Sequence, residues 1–155
     1  MTVQTDRVAV ALQLGREPRG TWRVARRCRC GLPQVIETEP HLEDGTPFPT
    51  LWWLSCKKLS SEVGSLESKG FMNQINEDLA RSDGLQQSLR EATDAYVSRR
   101  DSFATLEDRS HPGGGPSRVK CLHAHVAHEL MTGDNWVGKR ALEAIGWKEL
   151  TEPCV

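Results

Sequence analysis

Zinc ions and iron–sulfur clusters are held by thiolates, because a soft, charged sulfur binds such metals strongly and a tight turn lets two of them reach one ion. The stretch Cys28-Arg29-Cys30-Gly31-Leu32-Pro33 offers that turn: Gly31 frees the backbone and Pro33 ends it. Its C-x-C spacing is tighter than the common C-x-x-C knuckle. Cys56 closes the apolar segment TLWWLSC, and Cys121 follows a glycine-rich stretch. Cys28, Cys30, Cys56 and Cys121 are therefore the expected metal ligands, with zinc and an iron–sulfur cluster both open. Cys154, beside the C-terminus, is the odd one out. The competing reading takes these residues as small buried hydrophobes, since free cysteine is among the most buried residue types. Their positions at turns and element ends favour the metal.

A second centre of chemistry is GGGPSRVKCLHAHVAH, from Gly113 to His128. The glycines Gly113, Gly114 and Gly115 lead toward a helix expected to begin near Arg118. Free N–H groups and the helix dipole at such an end favour an anion, and Arg118 and Lys120 add charge beside it. The spacing is not that of a Walker loop. Along the helix Cys121, His125 and His128 share one stripe and His123 points nearly opposite. Any of the histidines can replace a cysteine as ligand. If the loop holds a phosphorylated small molecule, His123 and His128 are the candidates for proton transfer.

The elements that must position these groups fall into two kinds. TWRVARRC alternates with a period of two and reads as a strand; QVIET, at Gln34 to Thr38, reads as its hairpin partner, and Thr50 to Cys56 as a third strand. From Lys57 the period becomes helical: Leu59, Val63 and Leu66, then Met72, Ile75 and Leu79, then Leu85, Leu89, Ala92, Tyr96 and Phe103 behind a cap at Ser82 or Asp83. Val119, Leu122, Val126 and Leu130 mark the helix of the histidines, and Asn135 caps a last one ended by Gly146. A short N-terminal helix covers residues 3 to 14. The expected fold class is α+β: a small antiparallel β-hairpin or sheet in the N-terminal third, packed on a helical C-terminal two-thirds. We expect one domain, with a β-rich cysteine-knuckle part (1–56), a helical part (57–146) and a tail (147–155).

At 155 residues the chain can bury a core without disulfide staples. Its net charge of −1 disfavours a general nucleic-acid binder. Arg16, Arg19, Arg23, Arg26, Arg27 and Arg29 do surround Trp22, a pattern that can hold phosphates and stack a base, but a charged strand edge that blocks aggregation is the safer view. The run Val8 to Leu12 is too short for a membrane span or a secretory leader. A cytoplasmic protein is expected, where five cysteines are thiols or metal ligands rather than a disulfide framework.

Taken together, RCRCGLP at 27 to 33, DGTPFPTLWWLSC at 44 to 56, AYVSRRD at 95 to 101 and GGGPSRVKCLHAHVAH at 113 to 128 resemble the bacterial domain-of-unknown-function family 501. The resemblance implies that Cys28, Cys30, Cys56, Cys121, His123 and His128 match positions typical of the family, and it implies no established activity. Members are small cytoplasmic proteins, often encoded near a septum-formation protein and an exopolyphosphatase. The chain departs at His125, where the family is apolar, which removes that residue from the ligand set; it also carries Gly115 and Ser117 where the family has Met and an acidic residue. The expected function is a small cytoplasmic metal-binding protein. The alternatives are an enzyme acting on an anionic or phosphorylated small molecule at the Gly113–Lys120 loop, and an interaction module. A protein partner and a phosphate-containing ligand are the partners these readings call for, with no membrane and with nucleic acid disfavoured.

Overall fold

Aromatic and β-branched residues of period two build the sheet, and the turn between the first two strands sets their register. A computed structural model describes residues 3–104, 117–152 and 154. In it α1 (Val3–Leu14) precedes β1 (Trp22–Arg27), β2 (Pro33–Thr38) and β3 (Trp52–Leu54). The strands form one antiparallel sheet in the order β1-β2-β3, with Val24 opposite Ile36 and Val35 opposite Leu54. Every residue of β2 is buried. Successive strand side chains point to opposite faces, so both faces of the central strand are covered. Val35 belongs to the main core, whereas Ile36 shares a cleft with Leu14, Phe48 and Trp53. α1 packs on β2, and Gln13 Nε2 donates to the Pro33 carbonyl at 2.7 Å.

The helices follow as α2 (Lys57–Ser68), α3 (Phe71–Arg81), α4 (Asp83–Asp101), α5 (Leu122–Thr132) and α6 (Trp136–Ile145). Ser82 Oγ accepts from the Leu85 amide and caps α4; Asn135 Oδ1 accepts from Val137 and Gly138 and caps α6. Gly133 and Gly146 end α5 and α6 with positive φ, where a side chain is strained. Leu59, Val63, Ile75, Leu79, Leu89, Tyr96, Leu122, Val126, Val137 and Ala141 form the core with Leu51 and Trp52 of the sheet side. α5 and α6 pack backbone against backbone at Gly138: a Cβ there would stand 2.2 Å from the His125 carbonyl oxygen. The class is α+β, a three-stranded sheet in the N-terminal third with mostly C-terminal helices, as the periodicities indicate.

Three local expectations are corrected. α5 starts at Leu122 with Cys121 as its N-cap, not near Arg118. The cause is Asn76, which pairs with both backbone groups of Val119, accepting from its amide at 2.8 Å and donating to its carbonyl at 2.9 Å, and so holds the segment out of the helix. α4 ends at Asp101, so Phe103 lies beyond it, under the Arg23 guanidinium at 4.6 Å. The third strand is confined to Trp52–Leu54, because Ser55 and Cys56 turn away, both amides reaching the Gln34 carbonyl.

Candidate metal centre

Cys28 and Cys30 flank the hairpin turn that their sequence implies. The Gly31 amide donates to the Cys28 carbonyl and the Cys28 amide to the Leu32 carbonyl, both at 2.9 Å, and Gly31 takes φ +94°. The third thiol comes from the other end of the chain. After α6 the C-terminal segment runs back to the hairpin, where Glu149 meets it with three contacts: Arg26 Nη1 at 2.6 Å, the Arg29 amide at 3.1 Å and Gln34 Nε2 at 3.1 Å. That anchorage brings Cys154 to the knuckle. The sulfurs of Cys28, Cys30 and Cys154 lie within 4.8 Å of one another, those of Cys28 and Cys154 at 3.8 Å, and they can hold a metal ion. Cys56, the buried residue before α2, lies next to this set of three but outside its 4.8 Å limit, and its thiol is influenced by both Cys28 and Cys154.

The four thiols are not equivalent. Burial pushes Cys28 up to about 12 and Cys154 up to about 11, so both hold their protons at neutral pH. Burial also raises Cys56, with Cys28 adding to it against the pull of the Leu59 amide. Cys30 runs the other way. Burial opposes its ionisation, yet the backbone amides of Leu32 and Cys154 and the thiols of Cys28 and Cys154 bring it below the ordinary thiol value.

Cys121, expected to complete this set, stands in a different group with Glu67 and His123, whose ligating atoms also lie within 4.8 Å of one another. Its donors are of metal-binding types, but His123 Nδ1 and Glu67 Oε1 stand 2.7 Å apart, closer than two ligands of one zinc ion. His128 is buried instead in a polar network: Asn135 Nδ2 lies 3.0 Å from Nδ1 of both His125 and His128, and Asp134 Oδ1 is 3.1 Å from His128 Nε2. An amide nitrogen donates, so His128 Nδ1 accepts and the ring is neutral; burial lowers its pKa accordingly. The ring packs on Trp52 and Tyr96, a structural position. Gly113, Gly114 and Gly115 lie outside the described residues. Arg118 and Lys120 are exposed on the non-helical segment before Cys121, ahead of the helix whose amides were expected beside them.

Half of the arginine run is paired within the chain, Arg23 with the buried Glu37, Arg26 with Glu149 and Arg27 with Asp6; outside the run, Arg7 pairs with Glu17. Sequence reasoning missed Cys154 and Glu67. The available signal for Cys154 was a cysteine in a tail without helical period, next to Pro153; Glu67 looked like any exposed helical acid. No helix among the described residues is long and apolar enough to cross a membrane.

A family model described as a protein of unknown function (DUF501) matches residues 24–143, a span that includes Cys28, Cys30, Cys56 and Cys121 and stops before Cys154. No curated protein and no solved structure matches the chain.

Proposed function

The chain belongs to this DUF501 family of proteins of unknown function, and from the arrangement of its thiols we propose that it is a metal-binding protein in which Cys28, Cys30, Cys56 and Cys154 hold one zinc ion. The Cys28–Cys154 separation carries the reading. Thiolates bonded to zinc at about 2.3 Å in a tetrahedron stand about 3.8 Å apart, and these sulfurs are 3.8 Å apart. A four-iron cluster takes one thiolate per iron and spreads its sulfurs across the cluster, which suits a group within 4.8 Å poorly.

Four protein sulfurs leave no position for water or substrate, so the site is structural: a clasp joining the hairpin turn, the start of α2 and the C-terminal segment. Four thiolates around a divalent ion carry surplus negative charge, and Arg29, between the two knuckle cysteines, stands beside it to offset it. Thiolates of this kind persist in a reducing cytoplasm, where we place the protein.

Elemental analysis and an absorption spectrum on protein purified without oxygen test the reading. The expected result is a colourless protein with one zinc per chain, retained in Cys121→Ser and lost in Cys154→Ser. Visible thiolate-to-iron absorbance overturns zinc. Metal that is lost in Cys121→Ser and kept in Cys154→Ser overturns the ligand set.

A further inference from the structure

Cys121 caps α5 with extended backbone, φ −145° and ψ 113°, which places it at the helix end whose first N–H groups lack intrahelical partners. His123 is held at both ring nitrogens. Its Nε2 lies 3.0 Å from the Ser60 carbonyl oxygen and its Nδ1 2.7 Å from Glu67 Oε1. A carbonyl oxygen only accepts, so Nε2 carries a hydrogen; two lone pairs would repel at 2.7 Å, so a proton lies between Nδ1 and the carboxylate as well. The ring is then an imidazolium, and the Cys121 sulfur stands within 4.8 Å of it and of Glu67. Among the described residues all three are only partly covered, the opening that a small reagent needs.

We propose that Cys121 is a reactive thiolate, paired with the His123 imidazolium and with Glu67 holding that ring, and that it exchanges with small disulfides. The inference is independent of the zinc reading. The distance that supports zinc at the four-cysteine clasp argues against it here: nitrogen and oxygen ligands at about 2.0–2.1 Å from zinc would stand about 3.3 Å apart, whereas Nδ1 and Oε1 are at 2.7 Å, a proton-sharing distance. The electrostatics agree. Burial opposes ionisation of Cys121, but His123 and the Ala124 amide bring it below 9.0 while Glu67 works the other way; Cys121, the Ser60 carbonyl and Glu67 raise His123 above 6.5 against burial.

In the exchange the Cys121 thiolate attacks one sulfur of a disulfide RS–SR. A new S–S bond forms as the old one breaks, and RS⁻ leaves with the electron pair and takes a proton from solvent. The chemistry needs only a thiolate, access and a stabilising cation.

The test uses the full chain as purified. Dithiodipyridine is added across a pH series, thiopyridone release gives the rate, and peptide masses identify the labelled cysteine. Cys121 should react ahead of the buried Cys28, Cys56 and Cys154 with a midpoint below 9.0, and His123→Gln should move the midpoint upward, each pH unit lowering thiolate at neutral pH about tenfold. Should His123→Gln fail to fold, the native profile is compared with that of the denatured chain, which must titrate higher. Labelling no faster than in the denatured chain, a midpoint unmoved by His123→Gln, or protection of Cys121 that a chelator lifts would each overturn the proposal. A failed zinc reading leaves this result intact, because the label is assigned residue by residue.

Discussion

At the scale of the residue, protonation separates the cysteines into roles. Cys28 and Cys154 keep their protons at neutral pH, with values of about 12 and about 11, so a metal must displace both. Because Cys56 is raised as well, zinc binding near pH 7 should release at least three protons per ion, and apparent affinity should fall by about a thousandfold or more for each pH unit below neutrality. Calorimetry in two buffers of different ionisation enthalpy measures this directly; proton-neutral binding would count against these ligands. The histidines oppose each other in sign. Burial holds His128 below 6.5 when folded, so its neutral form favours the fold above that pH and the contribution is lost as pH falls through 6.5 toward the folded value. His123, raised by its partners, contributes below 6.5 and loses that as pH rises through its folded pKa. We expect the urea midpoint to drop on acidification from pH 7 to 5, and to drop less in His128→Gln; a midpoint that falls equally in both proteins would assign the acid sensitivity elsewhere.

At the scale of the element, positions are set by contacts a helical or strand period does not encode. Gly138 lets α6 lie against the backbone of α5, where a methyl would also stand 2.6 Å from Glu129 Cβ. Gly138→Ala should therefore destabilise the protein by about 1–3 kcal/mol, the usual range for overpacking, despite the better helix propensity of alanine. Denaturant unfolding checks it, and a neutral effect would mean that the helices part at little cost. The start of α5 obeys the same logic. The stripe Val119, Leu122, Val126 suggests a helix from Arg118, but Val119 is buried on a non-helical segment tied to Asn76, and the helix begins where that tie ends.

At the scale of the whole molecule, the clasp and the helical core carry separate loads. Side chains such as Leu59, Leu79, Leu89 and Leu122 are fully or almost fully buried, each contributing roughly 1.5–3 kcal/mol, so the helices should persist without metal. The hairpin turn and C-terminal segment have Glu149 and the thiols to hold them together. Chelation should then leave most helical circular dichroism in place while exposing Arg26, Arg27, Arg29 and Lys148 to trypsin. Full unfolding on chelation would show that the core depends on the clasp, and unchanged cleavage would show that no metal holds it.

Local periodicity and turn chemistry were legible in the chain alone: the hairpin around Cys28 and Cys30, the start of α2 after Cys56, the Ser82 and Asn135 caps and the apolar stripes all follow from neighbours a few residues apart. The family relationship was legible for the same reason, since its motifs are local. What pairs with what was decided by the tertiary structure. Cys121 and Cys154 are both cysteines beside an element end or in a tail, and no spacing rule distinguishes them as partners for Cys28. The distinction comes from Glu149, whose carboxylate docks the returning C-terminal segment on Arg26, Arg29 and Gln34, and from α2, which presents Glu67 and the Ser60 carbonyl to His123 and gives Cys121 a different partner. Both depend on long-range packing, in which groups far apart in sequence meet because burying the helices against the sheet leaves them adjacent.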